Sequence, residues 1–277
     1  MKKIYNFSGE QAFRNFTIPD LFKLKGKKKL TQINVKNAIE TKIAVKANID
    51  LLITGYNIVK EIRNIAKNKF ITAAIPFTKF KTNDEILSAS LEALENGADA
   101  VYTARSPRVV EYLSNESVPV MAHLGLIPRK SIITGGLRAF GKTSEEALSL
   151  LKSFKQMENA GAFSVEAEVI AEKTLGFISQ NCNLITISLG SGNNGDVNYL
   201  FMDDICGENK DLPKHAFSFA KVYKLRDKIY SEKLKAVKKF SKKAKTNNFV
   251  PQNKIVQINS TNLGIFKKKA IKILNNK

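Results

Sequence analysis

Eight apolar runs of strand length alternate with helical patterns along this chain, and no other feature limits its fold so strongly. They lie at residues 30–35, 49–54, 70–75, 100–103, 118–122, 163–167, 184–189 and 199–202. The helices between them carry their own start and stop signals. Thr82-Asn83-Asp84-Glu85 and Thr143-Ser144-Glu145-Glu146 spell capping boxes, in which the Thr hydroxyl and the Glu carboxylate satisfy each other's free backbone amides. Apolar stripes at helical spacing follow, Ile86, Ala89 and Leu94 in one and Ala147, Leu150, Leu151, Phe154 and Met157 in the other. Asn96-Gly97 and Asn159-Ala160-Gly161 end these helices and lead directly into strands, and Ser106-Pro107 opens a third helix. Repetition of helix, stop and strand predicts parallel strands with crossover helices. Eight such strands favour an α/β chain closed as a (β/α)8 barrel.

At 277 residues and 43% hydrophobic content the chain has material for one barrel-sized core. The reading divides it into an N-terminal arm at 1–29, the barrel at 30–220, and a basic extension at 221–277 that packs on or trails from the barrel. A short helix is expected in the arm at Phe16-Thr17-Ile18-Pro19-Asp20-Leu21. Beyond Lys221 come a lysine-rich helix, then Asn247-Asn248-Phe249-Val250-Pro251 and a stretch to which no element is assigned. The opening MKKIYNFSGEQAF lacks a signal-peptide core, and no apolar run has membrane-spanning length, so a soluble, cytoplasmic protein is expected. Cys182 and Cys206 have neither disulfide-framework nor metal-ligand spacing and read as small core residues.

The formal charge of +20 is concentrated at one end. Residues 221–277 hold 17 Lys and Arg against Asp227 and Glu232, a net +15 that leaves +5 for the rest. Lysine outnumbers arginine 38 to 7, and arginine is the better bidentate reader of phosphates and bases. A solvated basic tail is expected, with nucleic-acid contact limited to weak binding.

In a parallel barrel, chemistry gathers at the C-terminal ends of the strands. The stretch 119–143, PVMAHLGLIPRKSIITGGLRAFGKT, runs from a strand through His123, one of only two histidines, into a glycine-rich loop. The same rule selects Tyr56 and Asn57, Ala74, Tyr102 with Arg105, Glu168, and residues 188–191. Glu166 and Glu168 lie two apart and point to one side, and the outer Glu168 is the candidate general base. A solvated rim carboxylate and, for His123, a satisfied polar residue at a strand end are the alternative readings. No carboxylate cluster at the strand ends is apparent, so few oxygen ligands are expected for a hard divalent ion. Asp203 and Asp204, read as neighbours on a strand, point oppositely. Gly190-Ser191-Gly192-Asn193-Asn194-Gly195 matches a dinucleotide fingerprint, but a strand follows it where the fingerprint needs a helix. A tight, mobile loop whose amides could approach a ligand is expected instead.

From Thr17 to Pro251 the chain resembles the ketopantoate hydroxymethyltransferase family, barrels of the phosphoenolpyruvate mutase and isocitrate lyase superfamily. The resemblance rests on residues 49–55, 73–77, 97–101 and 119–126 with Pro128, on Gly135-Gly136 through Gly141-Lys142-Thr143, and on Gly161-Ala162-Phe163, Gly190-Ser191-Gly192 and Asp204 with Gly207. It implies hydroxymethyl transfer from 5,10-methylenetetrahydrofolate to a branched 2-keto acid in pantothenate biosynthesis, with Mg2+ polarising the carbonyl and a glutamate taking the proton. It also implies a ring-shaped homo-oligomer. The general base falls on Glu168 and the family histidine on His123. The aspartate and serine of the family's G-D-S fall on Tyr56 and Asn57, the aspartate of A-D-M-P-F on Ala74, and the K-x-E pair on Tyr102 and Ala104. On this mapping no carboxylate remains at the metal positions, and the candidate substrate contacts are His123, Arg105, Tyr56, Asn57 and Tyr102. Arg105, Arg138 or Lys142 is the candidate replacement for the missing positive charge. Two further readings stay open, a metal-independent paralogue acting on another small keto acid and a noncatalytic homologue kept for assembly.

Overall fold

The computed structural model describes residues 1–246 and 249–275, and divides them into two compact units at Val222/Tyr223. In the first unit, β3 (Leu30–Asn34), β4 (Leu51–Gly55), β5 (Phe70–Ala74), β6 (Ala100–Tyr102), β7 (Val120–Gly125), β8 (Ser164–Glu168), β9 (Ile185–Leu189) and β10 (Val197–Leu200) form a closed barrel in the order β10-β3-β4-β5-β6-β7-β8-β9. Every neighbouring pair is parallel. This is the (β/α)8 barrel that the sequence predicts, with all eight apolar runs used as strands.

Alternation along the strands separates two cores. Leu30, Leu51, Ile53, Phe70, Met121, Phe163, Ile187 and Val197 form one cluster inside the barrel. On the outer face Ile86, Leu94, Leu113 and Phe154 pack helices onto the sheet. Phe154 is fully buried, and truncating such a ring to alanine costs about 3–5 kcal/mol.

Helix starts follow the sequence signals in part. Thr82 and Glu85 make the full capping box. Thr143 accepts the amide of Glu146, but the Glu146 carboxylate takes the amide of Lys142 instead of closing the box. Ser106 has the extended backbone of a cap without a side-chain bond, and Pro107 alone presets the first turn.

The arm is more structured than its sequence suggests. β1 (Lys2–Tyr5) and β2 (Gln11–Arg14) pair as an antiparallel hairpin, and Ile18–Leu24 is the expected helix. Leu21 joins the interior cluster, so the helix closes the N-terminal end of the barrel. Asn15 fixes this plug by accepting the amide of Phe70 at 2.8 Å and donating to the Asp50 carbonyl at 2.7 Å.

Several expectations are corrected. The last strand spans Val197–Leu200, and Met202 opens a helix, Met202–Cys206, so Asp203 and Asp204 are helical. Asp203 pairs with Lys36 across the mouth, while Asp204 is buried. Cys182 is buried as expected, but Cys206 is only half-buried. The glycine loop precedes a strand, as read, yet it is tied down: Ser191 Oγ accepts the Ile170 amide and donates to the Ala167 carbonyl, and the Asn193 amide donates to Glu172.

The second unit contains the lysine-rich helix, Val222–Ala244, and a helix that the sequence did not reveal, Ser260–Asn275. Phe240 and Phe249 meet edge to face at 5.4 Å. Asn247 and Asn248 of the expected break, and Lys277 of the basic count, lie outside the described residues. Among the described residues no helix is long and apolar enough to cross a membrane.

Candidate functional site

At the C-terminal end of the barrel the interior turns polar. β7 and β8 are in register with His123 beside Glu166 and Gly125 beside Glu168. Glu166 and Glu168 both face inward, and neither is a solvated rim group: their exposures are 3% and 7%, and that of His123 is 3%. The sequence signal for this pair was the two-residue spacing. Its burial follows from the way the chain folds over it.

That fold rests on two backbone positions. Gly125 has φ +87°, and a Cβ there would stand 2.2 Å from the Glu168 carbonyl oxygen, so only glycine lets the two strand ends pass. Directly after Glu168, Val169 has φ +51°, a conformation unfavourable for a β-branched residue. It is held by bonds from its amide to Leu189 and from the Phe140 amide to its carbonyl, both 2.9 Å. Strain of this kind persists where the surroundings over-determine it, and here it fixes the end of the strand that carries Glu168.

His123 is the hub of the network. Its Nε2 lies 2.8 Å from the Leu126 carbonyl, 3.1 Å from Glu168 Oε2 and 3.6 Å from Glu166 Oε1. A carbonyl only accepts, so Nε2 carries a proton. Nδ1 is 2.6 Å from the Tyr102 hydroxyl, which also lies 3.0 Å from Glu166 Oε1 as donor. Burial disfavours the imidazolium, but Glu166, Glu168 and the Leu126 carbonyl outweigh it and raise the His123 pKa above its ordinary value. Burial, aided by the charge of Glu168, raises that of Glu166. Burial likewise drives the Tyr102 and Tyr199 phenols well above their usual range, so both remain O–H donors.

A cavity of about 180 Å³ opens beside this network, with Asn34, Lys36, Ala74, Tyr102, Glu166 and Tyr199 in its wall. The other predicted site residues lie elsewhere. Tyr56 packs edge to face on Phe80 at 5.4 Å and receives a bond from Lys79, and Asn57 is exposed. Arg105 donates to the Phe80 carbonyl and lies 5.3 Å from the Phe77 ring centre. Arg138 pairs with Glu146 at 2.6 Å, and the amide of Lys142 caps the same carboxylate at 3.1 Å. The structure therefore gathers Tyr102, His123 and Glu168 with Glu166, and leaves Tyr56, Asn57 and Arg105 outside that network. Tyr199, Asn34 and Lys36 were not singled out in the sequence.

The expectation of few clustered ligands is corrected in one respect. One nitrogen of His123 and one oxygen each of Glu166 and Glu168 lie within 4.8 Å of one another, close enough to share an ion. Binding through Nε2 would require it to give up its proton to solvent and its bond to Leu126. At Tyr56, Ala74 and Ala104 the side chains are a phenol and two methyl groups, which offer no carboxylate to a hard cation.

Comparison with known proteins agrees with the architecture. A solved phosphonomutase-like protein from Burkholderia cenocepacia J2315 superposes with a TM-score of 0.52 at 11% identity, covering 81% of this chain and 99% of that one, a likeness of fold alone. The 3-methyl-2-oxobutanoate hydroxymethyltransferase of Thermosipho melanesiensis is 29% identical over 259 residues, covering 84% of this chain and 96% of the relative. The enzyme of the same name from Francisella tularensis subsp. novicida is 33% identical over 193 residues, covering 68% and 70%. The sequence model for ketopantoate hydroxymethyltransferase matches residues 54–252, a span that includes His123, Glu168 and the whole glycine loop. The chain therefore belongs to the ketopantoate hydroxymethyltransferase family.

Proposed function

We propose that this chain transfers a one-carbon unit from 5,10-methylenetetrahydrofolate to the carbon beside the carbonyl of a branched 2-keto acid, with 3-methyl-2-oxobutanoate as the first candidate. The observation that carries the reading is the buried Glu168 carboxylate held 3.1 Å from His123 Nε2 at the C-terminal end of the barrel. Relatives of that name at about 30% identity supply the substrate class.

In this reading Glu168 removes the C3 proton, and the C–H electron pair becomes the C2–C3 double bond of an enolate. As the two carbon–nitrogen bonds of the folate-borne methylene break, its carbon takes the enolate pair and the oxygen of one water, and tetrahydrofolate leaves with the C3 proton passed on by Glu168 and one proton of that water. His123 fixes the Glu168 carboxylate through Nε2–H, and its other nitrogen is fixed by Tyr102. The buried surroundings keep bulk water from the base and strengthen each of these bonds.

Mg2+, which the family resemblance implies, does not fit the positions assigned to it, because Tyr56, Ala74 and Ala104 provide no carboxylate. No step is routed through it. The test is carbon-13 NMR of the full chain with 3-methyl-2-oxobutanoate and labelled methylenetetrahydrofolate. A new hydroxymethyl signal attached to a quaternary carbon is expected; its absence, beside a relative that forms it, removes the reading.

A further inference from the structure

The cavity beside Glu166 has donors that nothing within the barrel uses. Asn34 Oδ1 accepts the Met202 amide at 2.7 Å, which fixes the amide group and turns its Nδ2 away from that contact. Among the described residues Nδ2 makes no hydrogen bond, and neither does the Tyr199 hydroxyl, although Tyr199 is only 4% exposed. Neither atom is among the fully enclosed unpaired ones of the described residues, so both open onto the cavity, where water or a ligand can meet them. Lys36 is the one cationic side chain in the wall of this cavity among the described residues, and its ion pair with Asp203 holds it at the rim.

These groups sit on β3, just beyond its end, and on β10. The two strands lie far apart in sequence but are neighbours in the closed barrel. They face a wall that includes Glu166 and Tyr102. A small 2-keto acid presents two kinds of oxygen to such a cavity, a carboxylate that needs a cation and a carbonyl that needs a neutral or cationic donor as it takes on enolate charge.

We propose that Lys36 and Asn34 Nδ2 bind the carboxylate of the keto acid and that the Tyr199 hydroxyl donates to its carbonyl oxygen, supplying charge stabilisation that Tyr56, Ala74 and Ala104 do not offer through a carboxylate-bound cation. The proposal rests on the enolisation reading above and adds to it the residues that receive the substrate. A phenol kept protonated by its surroundings suits the role, because it remains a donor throughout the pH range of the reaction. It also leaves His123 free to serve Glu168.

The experiment uses the full chain with 3-methyl-2-oxobutanoate, measuring binding by calorimetry and C3 proton exchange in D2O by NMR for the wild type, Lys36→Gln and Tyr199→Phe. Tyr199→Phe keeps the buried ring, and a thermal melt matching the wild type confirms that each variant is folded. Lys36→Gln should weaken binding at least about tenfold. Tyr199→Phe should bind within about threefold of the wild type yet exchange about 100-fold more slowly, as expected when one donor to a developing oxyanion is lost. Variants that bind and exchange like the wild type overturn the proposal, and so does a wild type that does not bind the keto acid. Binding that depends on Lys36 without exchange in any variant would uphold the carboxylate contact but overturn the Tyr199 assignment and, separately, the enolisation reading.

Discussion

The two ends of the barrel treat charge in opposite ways. At the N-terminal end two largely enclosed carboxylates, Asp99 and Asp196, are saturated. Asp99 accepts from Arg14 at 2.6 Å, from Arg63 at 2.7 Å and from the Ile71 amide at 2.9 Å. Asp196 accepts from Lys25, the Gly26 amide and both the amide and hydroxyl of Thr186, at 2.9 to 3.0 Å. At the C-terminal end two carboxylates crowd one imidazole, and the Tyr199 hydroxyl and Asn34 Nδ2 make no hydrogen bond among the described residues. One end spends its polar groups on holding the barrel shut, and the other holds them ready for a ligand. That division is how a barrel separates stability from chemistry.

Substitutions at the two ends should therefore part company. The largest effect is expected for Asp99→Ala, which strands two guanidinium groups that are 3% and 13% exposed. Loss of about 3–5 kcal/mol in urea denaturation is predicted, with exchange activity per folded molecule unchanged. An equal loss of activity in the folded fraction would break the division. Asp196 gives a smaller and pH-dependent effect. Burial opposes its charge, but bonds from Thr186 and Lys25 outweigh it and lower its pKa. A depressed carboxylate stabilises the fold above its unfolded pKa of about 3.9 and loses that contribution as pH falls through the lower folded value. Asp196→Asn should therefore cost about 1.5–3 kcal/mol at pH 7, with the gap to the wild type shrinking below about pH 4. A gap that stays constant down to pH 3 would contradict the assignment. The smallest effect is expected for Arg105→Ala. Its guanidinium serves the Phe80 carbonyl and the Phe77 ring, so keto-acid exchange should change by less than about threefold. A larger loss would place Arg105 at the substrate after all.

What the sequence showed and what it hid have a common cause. Strands and crossover helices were legible because burial imposes a local period, and Thr82 or Gly97 marks an end by local chemistry. The hairpin Lys2–Tyr5 with Gln11–Arg14 was not, since its strands are short and mostly exposed. The last strand was misplaced by two residues because Phe201 and Met202 continue its apolar run, although Met202 already starts a helix capped by the left-handed Gly207. In the site, Glu166 and Glu168 were legible from a spacing within one strand. Asn34, Lys36 and Tyr199 were not, because closure of β10 onto β3 brings them together and no spacing records that contact. The clash that makes Gly125 obligatory is likewise a contact between strands.

The account stands most directly on Glu168 as a base at the functional end. The decisive measurement is the rate of C3 proton exchange of 3-methyl-2-oxobutanoate in D2O, without folate, for the wild type and Glu168→Gln. Exchange above buffer in the wild type, reduced at least about 100-fold in a Glu168→Gln variant that melts like the wild type, is the predicted result. Exchange that survives in Glu168→Gln, or none in a wild type that binds the keto acid, would contradict it.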